Sequence, residues 1–510
     1  MINFGIGAFI PALTAVVMVF ILRDVIASLF IGLAAGALLY AGASKGGLRG
    51  FLDLLFTTLF NSTAENIPLI TFILMLGSLV TVITMAGGHL AYGRWAAKKI
   101  KGPRGVCLAA IALGALIFID DYFSCLLTGA VMGPVAGRHK VSREKLAYFI
   151  DSTAAPVCIL APVSSWTMAI AEIVEKAGLE HGLLLFIRSI PWNFYGVFAL
   201  LFVLYIALTQ KDFSYMLRHE RDAARRRGKQ QTLYGTEREI GGKTISEKGA
   251  VIDLALPNLA VIGLTLASIA WLGGFFGPEK VSLIEAYARS DTTLAINFGC
   301  LGALAVCFLL YIPRRLLSAR QFFEGAIEGM KSMFAAVVIL VLAWSMSAVT
   351  TESLGAAAYV ESVMARLQGA VNFSFMPLAI FMLSALVSFG LGSWGSFLVT
   401  VPFIVIIAKA VDPSLFSLYL ASTLGGSVFG DHASPITDTT ILASIGAGCD
   451  HIMHVKTQLP YALLICLGSA ASFGCMGYTG NTLISYTAGF TAVAAALPLI
   501  YHLERNKENA

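Results

Sequence analysis

The sequence predicts an all-α polytopic membrane protein, built from two inverted repeats with broken helices. Of its 510 residues, 57% are hydrophobic and only 13% are charged, whereas about a quarter of a typical soluble chain is charged. Apolar runs of about 20 residues, enough to cross a bilayer as a helix, follow one another with short connections. A large outer-membrane β-barrel is excluded, because its strands would alternate apolar and polar residues.

These runs divide the chain into six segments. The first run has no basic region before it, so we expect a true spanning helix rather than a cleavable signal peptide. The segments are an N-terminal spanning helix (1–24), a first transmembrane repeat (25–209), a cytoplasmic hydrophilic linker (210–249), a linking helix and loop (250–290), a second inverted repeat (291–480) and a C-terminal spanning helix with its tail (481–510).

Basic loops predict the orientation of the chain, because Lys and Arg accumulate on the cytoplasmic side of a membrane. The loops at 94–104, 138–145 and 313–320, together with the linker, are therefore expected in the cytoplasm. The net charge of +5 is a topology signal and does not indicate nucleic-acid binding. The eight cysteines form no CxxC pair, so neither a disulfide framework nor a zinc site is predicted.

The two halves of the chain carry similar patterns. Shifting one half onto the other aligns residues 120–124 with 391–395. The loop at 94–104 is basic, whereas its counterpart near 365–375 contains a single arginine. Opposite charge bias predicts that matching segments cross in opposite directions, as in the inverted repeats of many secondary transporters. The alternative is that any two apolar helical halves look alike under some shift.

The stretch 425–444 is the strongest candidate site, because it is polar yet lies between apolar segments. Polar side chains and irregular backbone persist at membrane depth only where they are buried in protein or line a watery cavity. We expect Gly426, Gly430 and Pro435 to interrupt the helix here. The alternative is a polar surface loop followed by a helix that Asp438 caps. The candidate side chains are Asp431, His432, Ser434, Thr437, Asp438, Thr439 and Thr440.

A second candidate is the pair Asp120 and Asp121, with Ser124, between two short apolar arms. Two adjacent carboxylates cannot both face lipid, and their mutual repulsion suits a group that takes up and releases protons. The alternative is a helix end that faces water, where one aspartate is the N-cap.

The segment DSTAAPVCILAPVSSW is a third candidate, because Pro156 and Pro162 break its helix and free backbone carbonyls. Sodium is a hard cation, and such cations favour carboxylate, hydroxyl and carbonyl oxygens. The alternative is a set of small residues that let helices pack closely. The candidate side chains are Asp151, Ser152, Thr153, Ser164, Ser165 and Trp166.

The matching part of the second half carries Ser393, Trp394 and Ser396, then Ser422 and Thr423. It has fewer charges, which predicts a weaker second ion site. His451 and His454 follow the site stretch, and we interpret them as a solvated boundary face.

An enzyme is not predicted. Asp431, His432 and Ser434 are too close in sequence to form a working triad, and the chain has no nucleophile elbow.

The motifs GDHASPITDTTILAS, FIDDYFSCLLTGAVMGP and DSTAAPVCILAPVSSW resemble those of the NhaC-type sodium/proton antiporters, within the ion transporter superfamily. The resemblance covers roughly residues 10–500. It implies a multi-pass protein of the bacterial inner (plasma) membrane, with a scaffold domain, a moving transport domain and assembly as a homodimer. The broken segments at 146–171 and 415–445 are either re-entrant hairpins or full, broken spans. The resemblance also implies sodium ions and protons as coupling ions. The ion ligands it implies are Asp120, Asp121, Asp151, Ser152, Thr153, Asp431 and Asp438.

We therefore expect a secondary active sodium/proton antiporter that works by alternating access, in which the two ions compete for buried carboxylates. The alternative is a sodium- or proton-coupled carrier or exchanger of a small organic solute, such as an amino acid or a carboxylate. No cofactor, and no metal besides sodium, is predicted. The expected ion-binding and proton-coupling residues are Asp120, Asp121, Ser124, Asp151, Ser152, Thr153, Ser422, Thr423, Asp431 and Asp438. The expected substrate-binding residues are Ser164, Ser165, Trp166, Ser393, Trp394, Ser396, His432, Ser434, Thr437, Thr439 and Thr440.

Overall fold

The computed structural model of the chain is almost entirely helical in the part it describes. That part is residues 4–509 without 23, 163, 226–238, 241–242, 278–280, 283–285, 287–289, 357, 360–361, 363–365, 367–372 and 436. Much of the predicted linker and of the loop before residue 290 therefore lies outside the described residues. The all-α prediction is confirmed, and the described strands are the short antiparallel pair β1 (Glu239–Ile240) and β2 (Lys243–Thr244).

The helices follow one another with short connections. Those of the first half are α1 (Ile10–Leu22), α2 (Val25–Ala43), α3 (Gly47–Glu65), α4 (Ile67–Met85), α5 (Gly88–Lys99), α6 (Pro103–Leu116), α7 (Asp121–Arg138), α8 (Arg143–Leu160), α9 (Ser165–Lys176), α10 (Gly182–Ser189), α11 (Phe194–Thr209) and α12 (Ser214–Arg225). Those of the second half are α13 (Ile252–Leu272), α14 (Thr292–Tyr311), α15 (Ala319–Ser332), α16 (Phe334–Ala348), α17 (Met376–Val411), α18 (Phe416–Ala433), α19 (Asp438–Ala447), α20 (His451–Thr479) and α21 (Thr482–Asn509).

The chain is a multi-pass membrane protein. Among the described residues, nine helices are long and apolar enough to cross a membrane, or up to ten if the bent pair α8–α9 is counted as one span. A helix of this length satisfies its backbone hydrogen bonds internally, which hydrocarbon requires.

The helices pack as two groups, each of which takes helices from both halves of the chain. Helices α1–α4 pack with α13–α16, and α6–α12 pack with α17–α21. In the first group, Ser78 Oγ on α4 donates to the Ala326 carbonyl on α15 at 2.8 Å. This arrangement agrees with the expected scaffold domain and transport domain.

Within the second group, helices are interrupted at corresponding places in the two halves. The interruptions, called the four breaks below, are residues 117–120 between α6 and α7, 161–164 between α8 and α9, Gly392 inside α17, and 434–437 between α18 and α19. Gly392 has a φ of 71°, a left-handed conformation that side chains other than glycine rarely adopt. In the first half, the interrupted pair α6–α7 is followed by α8, a break and α9. In the second half, the interrupted helix α17 is followed by α18, a break and α19. The two halves therefore have the same order of elements, as a repeat requires.

The expectation that Gly426 and Gly430 interrupt the helix is wrong, because α18 continues through both and ends at Ala433. Both glycines let α18 approach α17 closely. A Cβ atom on Gly426 would lie 2.3 Å from the carbonyl oxygen of Phe381, and one on Gly430 would lie 2.3 Å from Ser388 Cβ. The interruption is confined to 434–437.

The start of the linker is fixed to the second group by a buried ionic cluster. Lys145 Nζ on α8 lies 2.7 Å from Asp212 Oδ2 and 3.2 Å from Glu220 Oε2. Tyr461 on α20 donates its hydroxyl to Asp212 Oδ1 at 3.0 Å. Removing one partner of such a buried pair leaves an uncompensated charge. The cluster therefore connects α8, α12 and α20.

We predict that Gly426→Ala lowers the thermal stability of the purified protein, because the new methyl group overlaps the backbone of α17. Overpacking of this kind costs about 1–3 kcal/mol. The control is Gly263→Ala on α13, where a Cβ atom meets nothing within 4 Å. A midpoint of thermal unfolding in detergent that falls equally in both variants would contradict the close packing of α17 and α18.

Candidate functional site: buried carboxylates at the helix breaks

The two breaks of the first half are bonded to each other. The Ser165 amide donates to the Ile119 carbonyl at 2.8 Å, and the Cys158 thiol donates to the Phe118 carbonyl at 3.2 Å. Ser164 caps α9, because its hydroxyl accepts from the Thr167 amide at 3.1 Å. Irregular backbone is thus held deep inside the protein, where its polar groups find partners.

The two breaks of the second half are bonded in the same way. The Ser393 amide, next to Gly392, donates to Asp431 Oδ1 at 2.8 Å. The Ser434 hydroxyl donates to the Phe389 carbonyl at 2.7 Å. Thr437 Oγ1 lies 3.0 Å from the Asp431 carbonyl oxygen. Asp431 is therefore the group around which both breaks are arranged.

Asp121 lies at the first break and is completely buried, while Asp120 is 4% exposed. Trp166 Nε1 donates to Asp121 Oδ2 at 3.0 Å, and the Tyr122 amide lies 3.1 Å from Asp121 Oδ1. The nearby negative charges that act on Asp121 are those of Asp120 and Asp431. The alternative of a helix end facing water is wrong, because the fold covers both aspartates.

Aromatic rings join the halves beside Asp121. The rings of Trp166 and Trp394 meet edge to face with centroids 5.9 Å apart, and Phe397 packs 5.0 Å from Trp166. These contacts hold the second break against the third.

Asp151 forms a second buried centre on α8. Its Oδ2 atom lies 2.6 Å from Gln458 Nε2, 3.1 Å from Thr440 Oγ1 and 3.4 Å from His454 Nε2. Its Oδ1 atom has no hydrogen-bond partner in the described part of the chain. The carboxylate of α8 thus contacts α19 and α20 of the other half.

Three residues at or beside this second centre, His454, Gln458 and Tyr195, were not assigned to a site from the sequence. His454, interpreted as a solvated boundary residue, is completely buried, so that interpretation is wrong. Gln458 also donates to the His432 carbonyl at 3.1 Å, and His432 Nδ1 lies 2.9 Å from the Tyr195 hydroxyl. His454 and Gln458 are four apart on α20, a spacing that places them on one helix face. That spacing was the signal available in the sequence.

Other predicted residues lie near these centres without binding either carboxylate. The Ser422 and Thr423 hydroxyls donate to the carbonyls of Leu418 and Tyr419 in their own helix. Ser396 belongs instead to a buried serine cluster on α17 and α18, within 3.2 Å of Ser384 Oγ. Its other members are Ser388 and Ser427.

The remaining predicted residues are buried as well. Ser124 Oγ lies 3.5 Å from the Gly114 carbonyl oxygen, and Ser152 and Thr153 are each 1% exposed. Thr439 is buried in the first turn of α19. Asp438 is the first residue of that helix and Thr437 is its N-cap, so the alternative of a helix capped by Asp438 is wrong. The Asp438 side chain lies outside the described part.

The two buried carboxylates, Asp121 and Asp151, lack a permanently charged partner among the described residues, because no Lys or Arg there forms an ion pair with either. A buried carboxylate without a permanent countercharge carries a large desolvation cost, so it binds a proton or a cation. At Asp151, His454 supplies a countercharge only when its imidazole is protonated. The described residues contain no group of three or more His, Cys, Asp and Glu side chains placed to hold a metal ion.

Comparison with known proteins agrees with this architecture. The model of the Na+/H+ antiporter family matches residues 153–478. An uncharacterized protein of Haemophilus influenzae is 33% identical, over 97% of this chain and 95% of its own.

Two solved transporters share the fold. The YdaH transporter of Alcanivorax borkumensis has a TM-score of 0.55 at 15% identity, covering 89% of this chain and 99% of that one. MtrF of Neisseria gonorrhoeae, from a class of antimetabolite efflux pumps, has a TM-score of 0.50 at 15% identity and covers 84% of both chains.

The fold and site define a polytopic secondary transporter rather than an enzyme. The chain belongs to the Na+/H+ antiporter family, which confirms the resemblance seen in its motifs.

We predict that Trp166→Phe destabilises the protein by about 1.5–3 kcal/mol, because it removes a hydrogen bond to a buried charged group while keeping an aromatic ring. The midpoint of thermal unfolding in detergent measures this loss, and Trp271→Phe at an exposed position is the control. The loss should disappear in an Asp121→Leu background. An equal loss in that background would show that the bond to Asp121 contributes nothing.

Proposed function

We propose that this protein is a sodium/proton antiporter that works by alternating access. The observation that carries the proposal is the burial of Asp121 and Asp151 without a Lys or Arg partner in the described residues. Each carboxylate needs a cation to become neutral, and either a proton or a sodium ion meets that need. One site that accepts either ion, but not both together, exchanges them across the membrane.

In the mechanism we propose, sodium binds at Asp121 with Asp120, and at Asp151, and protons displace it. The four breaks supply the remaining oxygen ligands, because unwound backbone presents carbonyls that a helix would occupy. Asp431 contributes a third buried carboxylate from the second half. The second packing group then moves relative to the first with its charge neutralised, which lowers the cost of crossing the membrane interior.

The localisation and the partners are inferred from the resemblance of the motifs to the antiporter family. We infer that the protein lies in the inner (plasma) membrane of a bacterium, in contact with lipid, and that it assembles as a homodimer. Sodium ions and protons are its coupling ions.

A coupled carrier of a small organic solute is the second candidate. Ser165 Oγ, Trp394 Nε1 and Thr439 Oγ1 are buried polar atoms that have no partner among the described residues. Sodium and protons require fewer hydrogen-bonding groups than this site offers. The MtrF neighbour belongs to a class of efflux pumps for antimetabolites, which favours including an organic solute in the test.

We predict that Asp121→Asn and Asp151→Asn each reduce sodium-driven proton exchange by at least ~10-fold, because an amide cannot offer the charge that both ions need. The assay uses proteoliposomes with an imposed pH gradient, a pH-sensitive dye, and pulses of sodium chloride. The control is Asp53→Asn, since Asp53 is exposed on α3 and forms an ion pair with Arg49 at the surface.

Normal exchange in both variants would contradict the proposal. The second candidate would be established instead if sodium alone leaves the pH gradient unchanged in the wild type, while an added amino acid or carboxylic acid dissipates it.

A further inference from the structure

Gln458 stands out among the buried groups that the proposed mechanism has not used. It is completely buried on α20, and its amide nitrogen donates twice, to Asp151 Oδ2 at 2.6 Å and to the His432 carbonyl at 3.1 Å. Both hydrogens of the amide are therefore engaged. This assigns the amide nitrogen to Asp151 and His432 and leaves the amide oxygen Oε1 without a donor among the described residues.

The two groups in contact each leave one oxygen without a partner. Asp151 Oδ1 and Gln458 Oε1 are both buried, and neither has a hydrogen-bond partner in the described part of the chain. Asp151 Oδ2 is already engaged by Thr440 and Gln458. A buried polar atom without a partner costs free energy, and two such oxygens on adjacent side chains suit a hard cation.

We propose that Gln458 is a specificity-determining residue, which holds one carboxylate oxygen of Asp151 and supplies its own amide oxygen as a second sodium ligand. This inference rests on the proposed sodium/proton exchange. A proton needs a single oxygen, whereas sodium needs several oxygen ligands. Gln458 therefore favours sodium over the proton at Asp151 without adding charge.

The two unpartnered oxygens of Asp151 and Gln458 do not suit an anion. One is a carboxylate oxygen and the other an amide oxygen, and both only accept hydrogen bonds. The ring nitrogens of His432 and His454 complete the surroundings of Asp151. In the described residues, Lys and Arg form no ion pair with Asp151.

The test measures sodium affinity in purified full-length protein. Thermal stability in detergent is followed as sodium chloride replaces choline chloride at constant ionic strength, because an ion that binds the folded state raises its stability. Gln458→Met keeps the length of the side chain and removes both amide groups. We expect the sodium concentration for half-maximal stabilisation to rise by at least ~10-fold, the effect of losing one good ligand.

Gln458→Glu shifts the same quantity in the opposite direction. It keeps an oxygen and adds a second charge beside Asp151, so at a pH where both carboxyls are ionised the half-maximal sodium concentration should fall by at least ~3-fold. In proteoliposomes, the sodium concentration for half-maximal exchange should rise in Gln458→Met by the same factor. The control is Ser469→Ala on the same helix, where a buried hydroxyl donates to the Ile465 carbonyl of that helix.

The outcomes separate this inference from the proposed function. If sodium stabilises the wild-type protein, and both Gln458 variants have the same half-maximal sodium concentration as the wild type, the role of Gln458 is overturned while the proposed function stands. A lower maximal rate in Gln458→Met with unchanged sodium affinity would assign Gln458 a structural role and also overturn it. Wild-type protein without any sodium response would overturn sodium/proton exchange, and the inference with it.

Discussion

The structure depends on the burial of negative charge inside a chain that is mostly apolar. Asp121, Asp151 and Asp431 are each at most 1% exposed, and the four breaks lie around them. Burying a carboxylate is costly unless hydrogen bonds and a cation compensate. The fold supplies the hydrogen bonds through Trp166, Ser393 and other neutral donors. We propose that the transported ion supplies the compensating charge.

This constraint explains why regular helices are interrupted where they are. A continuous helix would use its carbonyls internally and place each aspartate beside apolar neighbours. The breaks at 117–120 and 161–164 bond to each other, and Gly392 lies beside the break at 434–437. Contacts between Asp151 and Thr440, and between Trp166 and Trp394, then join the two halves of the chain. The centres therefore exist only when both halves are folded together.

Much of this could be predicted from the sequence, because hydropathy determines spanning helices and polar residues within them mark a site. The all-α class and the burial of the aspartates followed from such patterns, and the family followed from the resemblance of three motifs. The role of Gly426 could not, since a glycine that breaks a helix and one that permits close packing look alike in sequence. His454 and Gln458 were missed because they begin a helix that follows a loop, and only tertiary packing shows that this helix faces Asp151.

The most direct test of the account is sodium binding to the purified protein at several pH values. Equilibrium binding of radioactive sodium would be measured in detergent, with potassium chloride holding the ionic strength constant. Competition predicts that lower pH weakens the apparent sodium affinity, by up to about tenfold per pH unit, while the number of sodium ions bound at saturation stays the same. Sodium binding with an affinity independent of pH would contradict a shared site for the two ions.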